Sequence, residues 1–182
     1  MMRVDSFGRS AAFAAVAALV WMPWAMLVGP FLGVPAARAL YLVAVAALYC
    51  GGLAKTRPRR ASTTVLVGLV GCLLAIVVRG TPELCLGLAA VLGVVRSGLV
   101  HRSAPGRAVL VEAILLVGGL LFARFLATGA LATALGVWGF LLFQSCWFLV
   151  GGSAARAEDG RHPDPFEAAY ARVAEVLERP GV

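Results

Sequence analysis

The chain has 182 residues, of which 61% are hydrophobic and only 14% are charged, and its formal net charge is +7. A soluble domain carries about 25% charged residues, and here the deficit lies in continuous apolar blocks, so the composition excludes an ordinary water-soluble domain. The positive charge flanks these blocks, where it meets lipid headgroups, and nucleic-acid binding is therefore disfavoured.

Six apolar runs follow one another along the chain, separated by short loops. A transmembrane helix needs about 20 mostly apolar residues. The predicted spans cover residues 10–34, 37–53, 63–78, 83–100, 108–126 and 131–150. We therefore predict an all-α fold, a polytopic membrane helix bundle with six transmembrane helices that occupies residues 1–152.

The first span begins with many alanines, which allow a neighbouring helix to approach closely. Its basic start and the small residues at 35–39 resemble a signal peptide with its cleavage site. Its apolar run is longer than the roughly 7–15 residues of a signal core, so we expect a retained helix. Gly29, Gly33, Gly136 and Gly139 are expected to mark close contacts between helices.

The basic residues fall mainly in every second gap between the spans. The N-terminus, the second and fourth loops and the tail carry Arg3, Arg9, Lys55, Arg57, Arg59, Arg60, Arg102, Arg107, Arg156 and Arg161. The other gaps hold Arg38, Arg79 and, at a helix end, Arg124. By the positive-inside rule both termini are cytoplasmic, which predicts a multi-pass protein of the cell (inner) membrane.

Two charged residues lie well inside the spans. A charge at the bilayer centre costs about 2.5–3.5 kcal/mol on insertion scales, so a charged residue there is expected to be paired or to have a function. Arg96 and Glu112 are equally distant from Ala104, the centre of the turn between the fourth and fifth spans, and the helical rise puts them at one depth. We predict an intramembrane ion pair, with snorkelling of Arg96 to the headgroups as the alternative. Helical rotation disfavours a second bridge between Glu83 and Arg124.

Three further side chains inside the spans are candidates for a pocket. Trp21 and Trp24 flank Pro23 in the middle of the first span, where a kink is expected, although tryptophan prefers the membrane interface. Interior packing is the first interpretation of this cluster and a pocket wall the second. Gln144 in the sixth span is predicted to hydrogen-bond to another helix, with a polar cavity as the alternative.

The sequence offers no visible catalytic machinery. It contains no Ser/His/Asp set, HExxH motif, P-loop or paired aspartates. Its four cysteines form no CxxC pair, and metal sites need clustered ligands. We therefore expect no catalytic residue, no metal and no cofactor. His101 beside Arg102 could contact a phosphate, but a solvated histidine is the commoner case.

The chain turns polar at Gly151. Residues 153–163 are predicted to form a linker and residues 164–180 a short amphipathic cytoplasmic helix. Asp164, Pro165 and Glu167 form a helix start with a capping box. The apolar stripe of this helix consists of Phe166, Tyr170, Val173 and Leu177. Its acidic-leaning polar face disfavours lipid adsorption, so the stripe is predicted to dock a protein partner, or else to fold back onto the bundle.

Three functions are compatible with these sequence features. The first is a non-catalytic membrane subunit or scaffold that recruits a cytoplasmic partner through its tail. The second is a substrate-binding or transport component with a small-molecule ligand: six spans with both ends inside and an alanine-rich first helix resemble the substrate-binding subunits of energy-coupling-factor vitamin transporters, from which the polar tail departs. The third is an enzyme acting on a lipid-linked substrate near Arg96, His101, Arg102 and Glu112.

Overall fold

A computed structural model describes residues 6–54, 57–78, 80–100, 105–126 and 131–150. Every regular element in these ranges is a helix. In chain order they are α1 (Phe7–Leu32), α2 (Val34–Leu53), α3 (Arg57–Val77), α4 (Thr81–Val100), α5 (Pro105–Leu126), α6 (Ala132–Ser145) and α7 (Trp147–Val150). The fold is thus all-α, and each of the first five apolar runs forms one helix, whereas the sixth is divided by a turn at Cys146.

The chain divides after Trp147 into two compact units. The first contains α1 to α6. Of the second, only the last residues of α7 are described. The predicted linker at 153–163 and the predicted tail helix at 164–180, with its stripe of Phe166, Tyr170, Val173 and Leu177, lie outside the described residues.

Within the described part of the chain, three stretches of helix have the length and composition needed to cross a membrane: Phe7–Leu32, Val34–Leu53 and Pro58–Val77. The bundle also exposes many large apolar side chains, and exposing them all to water would be unfavourable. Leu19, Met26, Phe31, Ile76 and Phe125 are each more than 70% exposed. Long apolar helices with an apolar outer surface are typical of a membrane protein.

α1 and α2 form an antiparallel hairpin joined by one residue, Gly33. Trp24 Nε1 donates a hydrogen bond to the Ala37 carbonyl oxygen near the turn (2.9 Å). Farther from the turn the Tyr41 hydroxyl donates to the Ala17 carbonyl. Ala14 and Ala17 are buried, so the alanine-rich start of α1 does pack closely. α1 is helical throughout, with Pro23 and Pro30 inside it.

Gly33 has φ 80° and ψ 151°, a backbone conformation that is essentially restricted to glycine. We expect Gly33→Ala to lower the free energy of unfolding by about 1–3 kcal/mol, because the added Cβ is strained in this region whatever space surrounds it. Thermal unfolding in one detergent measures the effect. Gly29→Ala is the matched control, since a Cβ at Gly29 meets nothing within 4 Å, and equal melting temperatures for the two variants would contradict the prediction.

α3 and α4 pack against α2, whereas α6 packs against α1 and α5. Gly71 of α3 lies against Val43 of α2, and Val43 packs with Leu84 and Leu88 of α4 in a buried apolar cluster. α5 and α6 are held at close range by glycines, since a Cβ built on Gly139 would lie 2.5 Å from Leu126 Cδ1. The expectation of a close contact at Gly29 is wrong, because that face of α1 is open. Gly33 instead forms the turn.

Candidate functional site

Six buried polar side chains from five helices meet near the end of the bundle at which α1 begins. We call this group the polar centre; it consists of Ser10 of α1, Tyr49 of α2, Arg96 of α4, Glu112 of α5, and Gln144 and Ser145 of α6. Because consecutive helices are antiparallel, these residues come from the starts of α1 and α5 and the ends of α2, α4 and α6. Sequence positions far apart therefore share one depth.

Arg96 and Glu112 form a two-pronged ion pair inside the bundle. Arg96 Nε lies 2.9 Å from both carboxylate oxygens of Glu112, and Arg96 Nη2 lies 2.6 Å from Oε1. Arg96 is only 1% exposed and Glu112 7%. The guanidinium is thus directed at the carboxylate rather than snorkelling outward. A forked, charge-assisted pair of this kind is geometrically specific and fixes the rotation of both helices.

Gln144 completes the surroundings of the arginine. Its Oε1 accepts from Arg96 Nη2 at 2.5 Å, and its Nε2 donates to the Leu115 carbonyl oxygen on α5 at 2.8 Å. The guanidinium carbon also lies 5.7 Å from the ring centroid of Trp147, a cation–π distance. One amide therefore links α4, α5 and α6, with both of its polar atoms satisfied.

A chain of hydroxyl groups extends the polar centre to α1 and α2. Ser145 Oγ lies 2.8 Å from Ser10 Oγ and 2.9 Å from the Leu141 carbonyl oxygen. Ser10 Oγ in turn lies 3.1 Å from the Tyr49 hydroxyl, and Tyr49 is fully buried. Ser10 and Tyr49 were not predicted from the sequence as members of a site. The available signal was that each places a hydroxyl group at the same depth, one in α1 and one in α2.

The polar centre is chemically closed. The carboxylate neutralises the guanidinium, and the amide and hydroxyl groups bond to one another or to backbone carbonyls. Its geometry suits the fixing of helices relative to one another.

The tryptophans predicted to share a pocket with Gln144 lie elsewhere. Trp21 and Trp24 pack on Tyr41, with ring centroids 5.1 and 6.3 Å away. Gln144 belongs to the polar centre, so the structure does not bring the three together. Among the described residues, no salt bridge joins Glu83 to Arg124, in line with the rotation argument.

An apolar cleft of about 620 Å³ lies between α2, α4, α5 and α6 toward the other end of the bundle. Its lining residues belong to the first parts of α2, α4 and α6 and to the last part of α5. Almost all of their side chains are aliphatic or aromatic. Arg38, Arg124, Thr81 and Thr133 are its polar lining residues. The cleft was not predicted from the sequence. The available signal was that Arg38 and Arg124 lie near span ends that otherwise carry few charges.

Within the described ranges no three His, Cys, Asp or Glu side chains lie close enough to hold a metal ion. His101 and Arg102 lie outside those ranges. Comparison of this chain with protein-family models, with curated proteins and with solved structures finds no match. The features of this chain that bear on its function are therefore the polar centre, the apolar cleft and the distribution of charge.

Proposed function

We propose that this protein is a six-span protein of the inner membrane with both termini in the cytoplasm, acting as a non-catalytic membrane subunit or scaffold. Its partner is a cytoplasmic protein bound through residues 164–180. The observation that supports this proposal best is the closed polar centre. The guanidinium of Arg96 and the carboxylate of Glu112 pair with each other inside the bundle. This pairing favours a structural role over a catalytic one.

The orientation follows from the charge distribution and the antiparallel helices. In the sequence, the basic segments at residues 3–9, 55–60 and 102–107 adjoin the start of α1, the loop between α2 and α3 and the loop between α4 and α5, and residues 156–161 follow the sixth apolar run. Arg38 and Arg124 lie toward the end of the bundle opposite the polar centre. The positive-inside rule therefore assigns the polar-centre end, and with it the tail, to the cytoplasm.

The tail is tested in the full-length protein by affinity purification from its native membrane with quantitative mass spectrometry. We expect Phe166→Ser/Tyr170→Ser to reduce recovery of one cytoplasmic protein at least about tenfold, because two apolar anchors are lost. Arg172→Ser, which the sequence pattern places on the polar face of the predicted helix, is the matched control and should retain that protein. A partner list that is identical for wild type and both variants would refute the docking role.

A ligand-binding or transport role is the second candidate, and the apolar cleft is the observation that favours it. Its volume falls within the range of about 300–1,000 Å³ typical of small-molecule sites, and such sites are mostly apolar with a few polar groups. The two roles are compatible, since a membrane subunit can bind a ligand and a partner at opposite ends.

A further inference from the structure

The exposed lining residues of the apolar cleft all lie on α4 and α5, which indicates an opening through the flank of the bundle between these two helices. These helices are in contact at Gly93, where a Cβ would lie 2.9 Å from Leu116 Cδ1 and 3.5 Å from Glu112 Cγ. Beyond this contact, away from the polar centre, the space between them belongs to the cleft. The lining residues Leu86, Val117 and Leu121 are 60%, 59% and 63% exposed. In a membrane this opening faces hydrocarbon chains.

The depth of the cleft matches half of a bilayer. Its lining on α4 extends from Thr81 to Leu92, which is about 16 Å along the helix axis. The hydrocarbon core of a bilayer is about 30 Å thick, so one leaflet measures about 15 Å. The cleft therefore has the depth of one lipid chain lying parallel to the helices, with its end near the polar centre.

Two arginines lie at the opposite end, where the headgroup of such a lipid would be. Arg38 and Arg124 both line the cleft, and neither forms a salt bridge within the described part of the chain. Arg38 Nε is buried and has no hydrogen-bond partner there. Glu83 is exposed and is not a lining residue. A buried donor without a partner is costly, and a phosphate oxygen would satisfy it.

We propose that the apolar cleft is a binding site for an anionic phospholipid. One acyl chain lies between α4 and α5 along the cleft, and the headgroup phosphate is held between Arg38 and Arg124. Charge complementarity selects an anionic lipid, because a zwitterionic headgroup brings its own cation to the two guanidinium groups. The proposal depends on the helices crossing a membrane and not on the docking of a cytoplasmic partner, so the two can fail separately.

The test is a lipid competition on the full-length protein. Delipidated protein in detergent is titrated with phosphatidylglycerol and phosphatidylcholine of identical acyl chains, and bound lipid is counted by native mass spectrometry. We expect the wild type to prefer phosphatidylglycerol about tenfold or more. Arg124→Gln, at an exposed position, should fold normally and reduce that preference about fivefold, and Arg38→Gln/Arg124→Gln should abolish it.

Two matched variants distinguish this site from general attraction between a basic protein and anionic lipid. Arg59→Gln removes an exposed arginine at the other end of the bundle, and it should leave the preference unchanged. Ala46→Phe places a large side chain at the wall of the cleft. Because this side chain takes up space needed by the acyl chain, the variant should bind less of both lipids. Equal binding of the two lipids to the wild type, or equal effects of Arg59→Gln and Arg124→Gln, would overturn the proposal.

Discussion

Glu112→Gln is expected to lower the free energy of unfolding by about 3–5 kcal/mol. The substitution keeps the shape of the side chain but removes its charge, and Arg96 is left as an uncompensated cation that is 1% exposed. Breaking a buried ion pair by removing one partner typically costs this much, because the remaining charge stays desolvated. Thermal or denaturant unfolding of the purified protein in a single detergent measures the loss.

Glu83→Gln is the matched control for this prediction. Glu83 is an exposed carboxylate in the first turn of α4, so its neutralisation should cost less than about 1 kcal/mol. Arg96→Met combined with Glu112→Leu should recover much of the stability, because removing both charges leaves no buried ion. An unchanged melting temperature for both Glu112→Gln and Arg96→Met would show that the pair does not stabilise the bundle.

The sequence contained enough information to place the helices and to pair Arg96 with Glu112. Apolar length marks a helix that is covered by lipid or protein. Depth along an antiparallel hairpin follows from a constant rise per residue, and angular position follows from a constant turn. Two charges equally distant from a loop therefore share a depth before any tertiary contact is known. The same arithmetic argued against a bridge between Glu83 and Arg124.

The rest of the polar centre could not be derived in this way. Gln144 reaches Arg96 only because α6 packs on α5 with a particular rotation, and Ser10 reaches Ser145 only because α1 lies beside α6. Both facts concern the order of helices around the bundle, which loop lengths and hydropathy do not specify. The apolar cleft is harder still, since it is a gap between four helices and no residue type marks it.

Gly119→Leu is expected to destabilise the protein by about 2–6 kcal/mol, because it disturbs both the packing of α5 against α6 and the polar centre. A Cβ at Gly119 would lie 2.9 Å from Gln144 Nε2 and 3.1 Å from Phe140 Cδ2. The amide is fixed by its bonds to Arg96 and the Leu115 carbonyl, so it cannot move aside without breaking one of them. Overpacking costs about 1–3 kcal/mol, and a lost buried hydrogen bond adds about 1–3.

Gly29→Leu provides the comparison that isolates this effect. It introduces the same side chain into a helix, at a position where a Cβ meets nothing within 4 Å, and should raise stability by up to about 1 kcal/mol, since leucine is the better helix former. Unfolding of the two variants in one detergent gives opposite signs if Gly119 is needed for close helix approach. If both variants raise stability, the effect belongs to helix propensity, and the contact between Gly119 and Gln144 does not contribute measurably to stability. With opposite signs, the absence of a side chain at Gly119 is what allows Gln144 to reach both Arg96 and the backbone of α5.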